Sequence, residues 1–287
     1  MNFPMAAELN HETQEARKNG TWTQPFESGD EFVRRNAEVV GRNRSFSPRF
    51  AYLTSLAVLI FTVTVSAAPA GVAESANYLA NVVAELGREW PSNRTVNIVC
   101  HGHSVPAGYA QTPEVRMLTA YPNRLHRALC GRFPHAVINV IVTGIGGENS
   151  ESGAKRFERD VLALRPDVVT IDYALNDRAI GLKRAEAAWR SMITNALAHN
   201  VKVILLTPTP ATTAKLDDPN DPLNQHAAQI RRLAAEYHVA LVDSLEAFRA
   251  KVKAGVRLED LMAQSNHPNG RGHELVAAEL LKWFPKE

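Results

Sequence analysis

The chain has 287 residues, 45% hydrophobic, 22% charged and 7% aromatic, with 32 Lys and Arg against 30 Asp and Glu for a formal net charge of +2. That composition excludes a disordered, collagen-like or disulfide-stapled chain, and the even charge balance, with no long basic run, excludes general nucleic-acid binding. Two cysteines are too few for a zinc cluster or a disulfide framework.

Residues 1–50 are polar and show no sustained apolar period, so they read as a leader or an over-long start. After Glu38 the charges are all basic (Arg42, Arg44, Arg49), and Ala51 to Val65 then carries none. A basic flank, an apolar run of about 15 residues and the small-residue exit Ser66-Ala67-Ala68-Pro69-Ala70 match a secretory signal. Segment 51–73 is therefore expected to be a signal peptide, and the protein secreted or periplasmic. The uncharged stretch runs on to Ala73, so an uncleaved membrane anchor of about 20 residues is the alternative. A buried helix is a third reading, but it leaves the one-sided arginines unexplained. A signal so far into a chain suggests that translation starts at Val39 or Val40. No cysteine follows the apolar run, which disfavours a lipid anchor.

From Glu74 to Trp90, Leu79, Val82, Val83, Leu86 and Trp90 recur at helical spacing, so 74–94 reads as a linker helix broken by Pro91. Strand-like apolar runs follow at Val96–Cys100, Ala136–Val142, Asp167–Tyr173, Val201–Thr207 and Val239–Asp243. Helical segments are expected near Val115–Cys130, Gly153–Leu164, Lys183–His199, Leu223–Tyr237 and Gly272–Phe284. Strands apolar on both faces, alternating with helices, predict a three-layer α/β/α domain over 95–287 around a five-stranded parallel sheet. The long proline-rich loop Pro208–Pro222 reads as a rim over a site. A helix of about 15 residues between Cys100 and Cys130 spans roughly 20 Å, too far for a disulfide.

In such sheets ligands sit beyond the carboxyl ends of the strands. There the chain places Gly102-His103-Ser104, then Gly146-Gly147-Glu148-Asn149, then Ala174-Leu175-Asn176-Asp177, with Gln264-Ser265-Asn266-His267 before the last helix. Each alone has an ordinary reading as a cap or a turn. Together they supply what ester hydrolysis needs. Ser104 offers a hydroxyl nucleophile and His267 an imidazole base. The Ser104 and Gly147 amides with the Asn176 side chain offer donors for an oxyanion.

The order and spacing of these four blocks resemble the SGNH (GDSL-type) hydrolases over about residues 95–285. The resemblance implies a flavodoxin-like sheet, no cofactor and no resident metal. It makes Ser104 the nucleophile, His267 the base, and Gly147 and Asn176 the rest of the oxyanion hole. Three positions depart from the pattern: His103 stands for the usual aspartate of Gly-Asp-Ser, Ala174 for a glycine, and Gln264 for the aspartate that orients the histidine. A Ser–His dyad is therefore expected, with a backbone carbonyl or the Gln264 amide oxygen fixing the imidazole tautomer. Gly-x-Ser without the second glycine is not the nucleophile elbow of α/β-hydrolases. The expected substrate is a small-molecule or carbohydrate ester, a decorated sugar sooner than a long lipid, with membrane contact only through an uncleaved N-terminal segment. One alternative is a metal-dependent hydrolase using His101, His103, Asp172, Asp177, His267 and His273, which leaves Ser104 and Asn176 unexplained. The other is a non-catalytic carbohydrate- or partner-binding domain of the same fold.

Overall fold

The computed structural model describes residues 71–286; the leader and nearly all of the apolar segment lie outside the described residues. Five strands form one parallel sheet: β1 (Thr95–Gly102), β2 (Val137–Val142), β3 (Val168–Asp172), β4 (Lys202–Leu206) and β5 (Ala240–Val242), in the order β2-β1-β3-β4-β5. Each expected strand is present, shifted by one or two residues at its ends. The two-residue period of a strand sends alternate side chains to opposite faces. Val96, Ile98, Cys100, Ile204 and Leu206 enter one core, while Val99, Val169, Ile171, Val203 and Leu205 enter the other.

Nine helices cover the described residues: α1 (Ala80–Leu86), α2 (Ser104–Ala107), α3 (Tyr121–Arg132), α4 (Ser150–Asp160), α5 (Ala174–Asp177), α6 (Leu182–Ala198), α7 (Pro222–Tyr237), α8 (Ser244–Lys253) and α9 (Gly270–Leu281). Leu125 and Leu129 of α3, Phe248 of α8 and Val276 and Leu280 of α9 fill the first core. Phe157 of α4 and Trp189, Met192 and Ile193 of α6 fill the second. A small antiparallel pair, β6 (Met262–Gln264) and β7 (His267–Pro268), lies outside the main sheet.

Several boundaries depart from expectation for identifiable reasons. The helix expected from Val115 begins at Tyr121, because Pro122 has no N–H to give and belongs in a first turn. The helix expected from Gly153 begins at Ser150, where Asn149 caps it by accepting from the Ser152 amide at 3.2 Å. Helix α8, absent from the sequence reading, is capped by Asp243, which accepts from the Glu246 amide. Only Ala80–Leu86 of the 74–94 segment is an α-helix, and its Val82, Val83 and Leu86 pack into the first core together with Leu79. Trp90, expected on that apolar stripe, is 85% exposed beyond the helix end at Gly87.

Asp177 ties the second face together. Its carboxylate is wholly buried and accepts from the Ser150 amide at 2.7 Å and from Trp189 Nε1 at 2.6 Å, joining α5 to α4 and α6. Burial lifts its carboxyl above the ordinary range, while the Ser150 and Trp189 bonds oppose that shift. Replacing Trp189 with Phe removes one donor from a buried acceptor and should cost about 1–3 kcal/mol of stability. Urea unfolding checks this, and an unchanged midpoint would contradict the role given to Asp177.

Candidate active site

Ser104 is the first residue of α2, directly beyond the carboxyl end of β1. The turn is tight: a Cβ on Gly102 would lie 2.5 Å from the Asp172 carbonyl oxygen, so only glycine fits there. His267, on β7, reaches the serine from across the site. Its Nε2 lies 2.9 Å from Ser104 Oγ and its Nδ1 lies 2.9 Å from the Ala110 carbonyl oxygen. A carbonyl only accepts, so Nδ1 bears the ring proton and Nε2 turns its lone pair to the serine. Both side chains are nearly withdrawn from solvent, and burial, ahead of the nearby His103, holds the His267 imidazole below its ordinary value. Tyr109 lies beside the His267 ring, with centroids 5.9 Å apart, and is half-buried.

The other expected residues converge on the same end of the sheet. Gly147 follows β2 with φ of +80°, a left-handed conformation that favours glycine. Asn176 lies in α5, directly beyond β3, and its Nδ2 donates to the Glu148 carbonyl at 2.8 Å, leaving the second N–H of that amide unused. The Ser104 and Gly147 amides donate to no acceptor among the described residues. Three N–H groups therefore remain unspent beside the strand ends.

Gln264 does not touch His267. Its Oε1 accepts from the Thr112 amide at 2.8 Å, and its Nε2 donates to Asn266 Oδ1 at 3.0 Å. Of the two expected ways to orient His267, the structure has the backbone carbonyl and not the glutamine side chain. Sequence reasoning could not identify Ala110, because any residue type supplies a carbonyl.

The residues of the metal alternative are spent on separate bonds. His101 Nδ1 lies 2.8 Å from Thr143 Oγ1, and its Nε2 lies 3.1 Å from Tyr173 Oη, which also accepts from Arg156. Burial, with Arg156 second, pushes this imidazole down to about 3, so it is neutral at physiological pH. His273 Nδ1 accepts from the Tyr121 amide, and burial pushes it likewise to about 3. Asp177 is held as described above. Among the described residues no three His, Cys, Asp or Glu side chains form a group suited to a metal ion.

His103, at the position of the usual aspartate, caps α2 by accepting from the Val105 amide through Nδ1 at 3.3 Å; the same nitrogen lies 3.3 Å from Ser104 Oγ. The ring proton then sits on Nε2, 3.5 Å from Asp172 Oδ1, and Tyr121 Oη donates to the other oxygen at 3.3 Å. No residue pattern singles out this buried cluster behind the serine. Cys100 and Cys130 are both free, and burial pushes the Cys100 thiol up to about 12, leaving it without thiolate character near neutrality.

Residues 100–275 match the model of the GDSL-like lipase/acylhydrolase family, and the chain belongs to that family, whose members hydrolyse ester bonds. The acetylxylan esterase of Geobacillus stearothermophilus is 26% identical over 162 residues, which cover 52% of this chain and 74% of that protein. The crystal structure of Axe2, an acetylxylan esterase from the same organism, aligns with a TM-score of 0.59 at 25% identity, over 67% of this chain and 95% of that one. A two-domain esterase active on acetylated mannans shares the fold at 21% identity and a TM-score of 0.59, over 72% of this chain and 52% of that one.

Proposed function

We propose that the chain is a serine esterase that removes acyl groups, acetyl foremost, from a carbohydrate. The 2.9 Å contact between Ser104 Oγ and His267 Nε2, with Nδ1 committed to the Ala110 carbonyl, carries the reading. Ser104 Oγ attacks the ester carbonyl while its proton passes to His267 Nε2. The Ser104 and Gly147 amides and the free N–H of Asn176 take the charge that develops on the carbonyl oxygen. The tetrahedral intermediate collapses, the imidazolium returns the proton to the departing sugar oxygen, and an acyl-serine remains. Water, deprotonated by the same imidazole, then releases the acid and restores Ser104. The similarity to acetylxylan esterases supports the carbohydrate substrate. So does the half-buried Tyr109 ring beside the base, since an aromatic face suits the apolar side of a sugar ring.

With a short-chain aryl ester, Ser104→Ala and His267→Ala should each lower kcat at least about a thousand-fold. Activity in Ser104→Ala that a chelator abolishes would contradict the mechanism in favour of a metal route. Only neutral His267 accepts the proton, and its imidazole is held low, so activity should fall with acid along a limb below about pH 6.5. A limb above pH 7, or a flat rate down to pH 4, would contradict the assignment of the base.

We further propose export directed by segment 51–73, supported by its arginine-flanked apolar run and alanine-rich exit. None of the described helices is long and apolar enough to cross a membrane. N-terminal sequencing of the protein from its native source should find a start near Ala70. A chain that retains residues 51–65 in the membrane fraction would establish the anchor instead.

A further inference from the structure

We infer that Gln264 is a positioning residue of this site, acting through the loop whose Ala110 carbonyl holds His267. The inference rests on the reading of Ser104 and His267 as nucleophile and base. Gln264 and His267 are facing partners across the β6–β7 pair. Both reach out of that pair to the same loop, residues 108–116. His267 Nδ1 donates to the Ala110 carbonyl at 2.9 Å, and two residues further on the Thr112 amide donates to Gln264 Oε1 at 2.8 Å. The amide's direction follows from the Thr112 N–H, which can only donate and so faces Oε1, leaving Nε2 to donate to Asn266 Oδ1 at 3.0 Å. The loop folds on itself through Arg116 N to the Gly108 carbonyl at 2.7 Å and Ala110 N to the Glu114 carbonyl at 3.0 Å. Its tip, Gln111 to Glu114, is exposed, and the Gln264 bond is what fastens that tip to the strand pair carrying the base.

The physical need follows from the missing carboxylate. An aspartate at 264 would meet the imidazole with a full charge. A neutral carbonyl supplies direction but little net attraction, so its own position must be fixed by other bonds. Glutamine places its acceptor one methylene further out than aspartate would, at the backbone of the loop that supplies the carbonyl. The strand pair thus holds the loop at two points, and the geometry of His267 depends on both.

The test measures kcat and KM on a short-chain aryl ester for Gln264→Leu, Gln264→Asn and Gln264→Glu, with Ser104→Ala alongside. Leucine removes the acceptor and asparagine withdraws it by one methylene, so either variant suffices if the other does not fold. Both should lose about ten- to a hundred-fold in kcat with KM unchanged, as expected for a displaced base. Gln264→Glu keeps an oxygen for the Thr112 amide and should recover kcat to within about threefold of wild type, the margin that retaining a single hydrogen bond implies. Wild-type kcat in every leucine or asparagine variant that folds, or a loss carried by KM alone, would overturn the inference while an inactive Ser104→Ala left the esterase reading intact. An active Ser104→Ala would overturn both.

Discussion

The position of β1 between β2 and β3 governs the site. Parallel pairing on both sides brings three strand ends level, and hydrogen bonds continue the alignment past the strands. The Thr143 amide donates to the Cys100 carbonyl at 3.0 Å, the Ile145 amide to the Gly102 carbonyl at 3.1 Å, and the His103 amide to the Asp172 carbonyl at 3.3 Å. The segments bearing Ser104 and Gly147 are therefore stitched together before any side chain is considered, and Asn176 follows directly from β3. A slip of one residue would turn every side chain of a strand to the opposite face, and the two apolar cores forbid it.

His267 comes from outside this frame, and its Nδ1 meets a backbone carbonyl where the resemblance implies an aspartate. The buried carboxylates beyond the strand ends already have donors: Asp177 accepts from the Ser150 amide and Trp189, and Asp172 accepts from Tyr121 with His103 Nε2 3.5 Å away. His267 is left with a neutral acceptor, and burial holds it below its ordinary value. In the proposed mechanism such an imidazole stays available as a base further into acid, at the expense of intrinsic basicity. The orientation that a carboxylate would enforce by charge is enforced by a braced loop.

Much of this was legible in the sequence for definite reasons. Strands buried on both faces read as Val- and Ile-rich runs, and each of the five is present. The residues that meet at the strand ends, Ser104, Gly147 and Asn176, stood in recognisable blocks, and His267 announced itself before the last helix. Local chemistry that competes with periodicity was harder to see. Pro122 delayed a helix that the apolar pattern began at Val115, Asn149 started one before its first expected residue, and Trp90 left the stripe it appeared to continue. What could not be read was the backbone. The Ala110 carbonyl and the Thr112 amide carry no residue-type signature, so the substitute for the absent aspartate emerged only from the fold.

The most direct test of the account is covalent capture of the nucleophile. A serine-directed organophosphonate, followed by peptide mass spectrometry, should modify the protein once, on Ser104, and modification should fail when His267 is replaced by Ala. Modification elsewhere, or labelling of Ser104 at the wild-type rate without His267, would contradict the proposed serine–histidine pair.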